Sequence, residues 1–107
     1  MFGNMIMKTL GALVLTVMLA GNALAADHTV RIKGMKFQPA NLSVAAGDTV
    51  TFVNDDSAPH TATAKDGSFN TPRLGKGNTA QIKISKSGSF DYFCAVHPGM
   101  KGKIVSN

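Results

Sequence analysis

The chain has one cysteine, Cys94, in 107 residues, so no intramolecular disulfide can form. Small exported domains often lean on several disulfides, and a bound metal is the natural replacement for that staple. Histidine is scarce as well, with only His28, His60 and His97. After residue 25 no stretch of helical length keeps apolar residues at i, i+3 and i+4, which excludes a helical domain. No apolar run there is long enough to cross a bilayer, which excludes stable membrane insertion of that part. The basic residues (Arg31, Lys33, Lys36, Lys65, Arg73, Lys76, Lys83, Lys86, Lys101, Lys103) are scattered. None of them forms the kind of run that nucleic-acid-binding arms use, so no nucleic-acid partner is expected.

What is present begins with a leader. Lys8 precedes an unbroken small and apolar run from Leu10 to Ala20, and Ala23-Leu24-Ala25 offers an A-x-A cleavage site. This is the pattern of a secretory signal peptide over residues 1–25, with Ala26 as the mature terminus and an exported, periplasmic product. Residues 26–107 are enough for one domain and not for two. Without Lys8, ten Lys and Arg face six Asp, a net charge of +4, which favours acidic partners or anionic surfaces.

The domain reads as short period-two stripes. Val30 and Ile32 alternate with Thr29, Arg31 and Lys33; Leu42 and Val44 flank Ser43; Val50 and Phe52 flank Thr51. Ala80, Ile82 and Ile84 alternate with Gln81 and Lys83, and Phe90, Tyr92 and Cys94 with Asp91 and Phe93. Turn chemistry lies between them at Ala46-Gly47-Asp48, Asn54-Asp55-Asp56-Ser57, Asp66-Gly67-Ser68, Gly75-Lys76-Gly77-Asn78 and Ser87-Gly88-Ser89. Seven to eight short strands at this spacing predict an all-β Greek-key β-sandwich of two antiparallel sheets.

The chemistry is concentrated in Cys94-Ala95-Val96-His97-Pro98-Gly99-Met100. A thiolate, an imidazole and a thioether within seven residues suit one copper ion that cycles between Cu(I) and Cu(II), and a second imidazole would complete a two-His, one-Cys, weak-Met set. His60, at the start of another expected strand after Ser57-Ala58-Pro59, supplies it. Zinc would gain little from a thioether and prefers four strong ligands. A thioether has no role in a Cys-His hydrolase. A larger copper enzyme would need more histidines, and a dinuclear centre a second cysteine.

The sequence resembles the cupredoxins, the blue-copper family, and its Cys-x2-His-x2-Met spacing resembles the short loop of amicyanin. The likeness runs through Gly47 to Asn54, Pro59-His60, Gly88 to Cys94 and Met100 to Val105. It implies a plastocyanin-like and amicyanin-like electron-transport protein with His60, Cys94, His97 and Met100 on the copper. It also implies that the Asn54 side chain ties the two ligand-bearing loops together near the thiolate. The partners it implies are periplasmic redox proteins: a dehydrogenase donor such as methylamine dehydrogenase and a c-type cytochrome acceptor.

Two further expectations come from the residues themselves. His97, among Ala95, Val96, Pro98 and Gly99 and facing Ala58 and Pro59, is the expected exit for electrons and the centre of a flat apolar docking patch on a monomer. If cleavage follows Ala25, the terminal amine, two amides and the imidazole of Ala26-Asp27-His28 form a square-planar nitrogen set for Cu(II) or Ni(II). The competing reading of the whole chain is a copper carrier or storage protein that delivers metal to an oxidase or efflux system. Such carriers favour Met-rich or Cys-x-x-Cys sites, and after residue 25 only Met35 accompanies Met100.

Overall fold

The computed structural model describes residues 24–107, so most of the expected signal peptide lies outside the described residues. Eight strands follow in order: β1 (Asp27–Ile32), β2 (Phe37–Gln38), β3 (Asn41–Val44), β4 (Thr49–Asn54), β5 (Thr63–Ala64), β6 (Thr79–Lys83), β7 (Gly88–Phe93) and β8 (Lys101–Ser106). One sheet runs β2-β1-β4-β6 and the other β3-β8-β7-β5. The chain changes sheet at every connection from β2 to β7, as the expected Greek-key sandwich requires. Among the described residues no helix is long and apolar enough to cross a membrane.

The alternating stripes become one shared core. Val30 and Ile32 of β1, Val50 and Phe52 of β4, Tyr92 of β7 and Ile104 of β8 are fully buried. Tyr92 is the hub of an aromatic cluster, with ring centroids 4.6 Å from Phe37, 5.5 Å from Phe52 and 5.8 Å from Phe69. The edge-on pairs, those with Phe37 and Phe52, add about 0.5–1.5 kcal/mol each beyond the area they bury.

Three features depart from the sequence reading. The sheets are mixed, because β1 pairs parallel with β4 and β3 parallel with β8. Alternation is blind to strand direction, so the stripes do not distinguish these parallel pairs from the antiparallel pairs β4–β6 and β5–β7. β2 and β8 were not among the expected stripes: β2 has two residues, and the inward positions of β8 are Gly102, Ile104 and Ser106, a weak apolar signal. His60 does not open a strand. It forms an isolated bridge with Leu74, and β5 begins at Thr63.

This topology sets the functional geometry. β1 and β4 run side by side, pairing Asp27 with Thr49 at one end and Ile32 with Asn54 at the other. The second end carries the loop to His60. Cys94 follows the last residue of β7 at that same end of the sandwich, and Met100 directly precedes β8.

Candidate metal centre

His60 is held before any ligand is considered. Asn54, fully buried at the end of β4, donates from Nδ2 to Ala58 O at 2.9 Å and Leu74 O at 2.7 Å, and its Oδ1 accepts from Asp56 N at 2.9 Å. Its work is therefore to fold the 54–60 loop and fasten it to the 74 segment. The tie between the two ligand-bearing loops that the family resemblance implies for Asn54 is made by another residue, described below. His60 itself exchanges backbone hydrogen bonds with Leu74, at 3.1 and 2.8 Å.

The ring of His60 has a defined tautomer. Its Nε2 lies 3.0 Å from Asp56 Oδ2. Asp56 also accepts from the amides of Gly34 at 2.8 Å and Met35 at 2.9 Å. These hydrogen bonds, the Met35 amide foremost and the His60 ring among them, hold its carboxyl below the usual carboxylate range. An ionised carboxylate only accepts, so Nε2 carries the proton and the Nδ1 lone pair points the other way, toward Cys94. Met35 adopts φ 61° in giving its amide to Asp56, a left-handed conformation that is rare without glycine.

The second group of ligands comes from one closed loop. Cys94 N donates to Met100 O and Met100 N to His97 O, each at 3.0 Å, so the segment folds back on itself. Cys94 is fully buried and Met100 nearly so. Thr61, adjacent to His60, joins this loop to its own: its amide donates to Cys94 Sγ at 3.4 Å, and Ala95 N donates to Thr61 Oγ1 at 2.8 Å. The sequence reading did not single out Thr61. A threonine after a histidine carries no signal until the two loops are known to meet.

His60 Nδ1 lies 3.7 Å and His97 Nδ1 3.8 Å from Cys94 Sγ, and the ligand atoms of the three residues all fall within 4.8 Å of one another. A first-row metal sits about 2.3 Å from sulfur and about 2.0 Å from imidazole nitrogen, so these spacings correspond to a roughly trigonal arrangement around a single ion. A thiolate, two imidazoles and a nearby thioether fit copper. His60 is wholly buried and His97 is half exposed. Around His97, Ala95, Pro98 and Gly99 are exposed while Ala58, Pro59 and Val96 are half-buried.

Ala26, Asp27 and His28 lie at the other end of β1, far from this centre. Ala26 N donates to Asp48 Oδ1 at 2.9 Å and His28 Nε2 lies 2.8 Å from Asp48 Oδ2. The backbone of Asp27 and His28 is already in register with β4. The three residues are not arranged as a chelate in this structure.

Comparison with known proteins agrees with the geometry. A family model described as a cupredoxin-like domain matches residues 9–106. The chain is 35% identical to amicyanin-alpha of Methylorubrum extorquens over 90% of this chain and 91% of that protein. It is also 35% identical to amicyanin of Paracoccus versutus, over 71% of this chain but only 61% of that protein's length. Among solved structures, a reduced tryptophan-to-tyrosine variant of amicyanin superposes with a TM-score of 0.72 at 32% identity, covering 82% of this chain and 88% of that one. A copper-containing nitrite reductase from Thermus scotoductus reaches a TM-score of 0.71 at 34% identity, but this chain covers only 23% of it.

Proposed function

The chain belongs to the family of cupredoxin-like domains, and from that membership we propose that it carries single electrons between periplasmic redox proteins on a copper held by His60, Cys94, His97 and Met100. One copper ion is its cofactor, and blue-copper electron transfer is its function. The observation that carries the proposal is the convergence of His60, Cys94 and His97 within 4.8 Å. Copper bound there supplies a centre that gains and loses one electron.

The residues around it serve that exchange by not moving. Asp56 fixes the ring of His60, Leu74 fixes its backbone, and Thr61 fixes Cys94 through its amide and Ala95 through its hydroxyl. The Thr61 amide also withdraws negative charge from the thiolate, which tunes the centre electronically. Full burial of His60 and Cys94 keeps water off both ligands. A ligand set that is the same before and after the electron arrives needs little reorganisation, and that rigidity makes transfer fast.

His97 is the exit, because it is the only one of the three clustered ligands that is not fully buried. A small apolar face around it favours encounters that release quickly. We propose that it acts as an electron carrier and not as an enzyme, in keeping with its likeness to amicyanins. A dehydrogenase donor, with methylamine dehydrogenase as the candidate, and a c-type cytochrome acceptor are the proposed partners. The leader over residues 1–25 is proposed to be cleaved during export to the periplasm, and the domain to act as a monomer. Deep burial of Cys94 and His60 speaks against the carrier reading, since a metal that must be handed on needs ligands open to exchange.

Stopped-flow mixing of the copper-loaded protein with the donor and acceptor tests the docking face. Val96→Asp places a charge beside His97 and is expected to slow both reactions by at least about tenfold, the effect of a contact worth about 1.4 kcal/mol, when the rates are compared at equal driving force. Rates equal to those of the unaltered protein would overturn this assignment.

A further inference from the structure

Ala26 and His28, 22 and 20 residues before Asp48 in sequence, both end on its carboxylate. Oδ1 accepts from Ala26 N at 2.9 Å, and Oδ2 is shared by His28 Nε2 at 2.8 Å and Ala45 N at 2.9 Å. Asp48 is 5% exposed. The carbonyl of Ala26 is also fixed, accepting from Thr49 N at 3.0 Å. One residue earlier the chain leaves the domain: Ala25 is exposed, and the Leu24 side chain is 89% exposed with no place in the core.

We propose that Asp48 is the binding site for the α-ammonium group released by cleavage between Ala25 and Ala26, so that processing at this bond completes an ion-paired clasp across β1 and β4. In the uncut chain the Ala26 nitrogen is a neutral amide donating one hydrogen bond. Hydrolysis by a signal peptidase adds one water: Ala25 leaves with the new carboxylate, and the Ala26 amine takes up a proton. The same nitrogen, at the same place, then faces Asp48 with a full positive charge, and a charge-assisted hydrogen bond is about twice as strong as a neutral one. The clasp rests on the proposed cleavage after Ala25 and is independent of the copper reading.

The geometry also sets the register of the cut. Because Ala26 O is bonded to Thr49 N and Asp27 is paired within β1, cleavage one residue later removes the nitrogen that reaches Asp48, and one residue earlier leaves it an amide. The Ala26-Asp27-His28 motif is thus committed to Asp48 rather than to Cu(II), since its terminal nitrogen and its imidazole are both engaged. The backbone hydrogen bond from Ala26, the largest influence, together with His28 and Ala45 holds the Asp48 carboxyl down to about 2, so the site is anionic at any physiological pH.

The exported copper protein gives the test. Intact mass is expected to place the mature terminus at Ala26, and NMR titration of its α-amine to show a pKa raised above the usual α-amino range. The titratable groups around the amine are Asp27 and His28 of β1, Asp48 just before β4, and Lys83 of β6; the Lys83 cation opposes the shift and the Asp27 carboxylate adds to it. Asp48→Asn isolates the contribution of Asp48 and is expected to remove most of the shift, leaving only what Asp27 supplies. Placing one glycine before Ala26 is expected to lower the folded-to-unfolded ratio in urea about fivefold, and to have no effect in the Asp48→Asn background. A terminus other than Ala26, an unshifted amine in the unaltered protein, or a glycine extension without effect on stability would each overturn the clasp. The amine titration needs no variant, so it decides even if Asp48→Asn fails to fold.

Discussion

Asp56 accepts hydrogen bonds from Gly34, Met35 and the His60 ring, and so connects the 33–36 turn to a metal ligand. Replacing it with asparagine keeps the size but lets the amide offer either a donor or an acceptor, so the ring of His60 loses its fixed tautomer. Asp56→Asn is therefore expected to weaken copper binding by about 10- to 100-fold, measured by competition with a chelator of known affinity; an unchanged affinity would contradict the role given to Asp56. At this scale the ligands were legible and their supports were not. Cys94, His97 and Met100 could be found because all three lie in one short loop, and His60 because few histidines were available. Asp56 reads as one of several turn residues in Asn54-Asp55-Asp56-Ser57, and Thr61 as an ordinary polar residue. Their tasks exist only after two loops far apart in sequence have closed on each other, which is also why the tie expected of Asn54 turned out to belong to Thr61.

Strand β8 was the element hardest to see, and the reason is Gly102. It faces inward opposite Tyr92 in the β7–β8 pairing, and a β-carbon there would overlap the Tyr92 ring. The strand thus surrenders an apolar signal in order to seat the largest side chain of the core. Gly102→Ala is expected to destabilise the domain by about 1–3 kcal/mol, the usual range for forcing extra volume into a packed core, as read from urea unfolding. A variant as stable as the parent would show that the ring can move aside. The other strands were legible wherever one face was apolar at every second residue, as in Val30-Ile32 and Val50-Phe52. The parallel pairings were not legible, since the same alternation serves either direction.

At the scale of the molecule, the end of the sandwich opposite the metal depends on one carboxylate. Asp48 has its pKa lowered from 3.8 to about 2, so its contribution to stability is complete above pH 4 and is lost as the pH falls through about 2. A pH series of urea unfolding midpoints should show the parent losing more stability than Asp48→Asn over that window; parallel curves would contradict the assignment. The opposite end carries the function, and both ends are built on the same pair of strands, β1 and β4, so the clasp and the His60 loop share a frame without sharing a ligand. The central claim is that this frame holds one copper ion for reversible one-electron exchange. Its most direct measurement is the visible spectrum and voltammogram of the exported protein after titration with Cu(II). One equivalent is expected to produce an intense thiolate-to-copper absorption toward the red end of the visible range, lost in Cys94→Ser, together with a reversible one-electron wave. A copper-loaded protein that lacks the band, or whose copper cannot be cycled without leaving, would contradict the account.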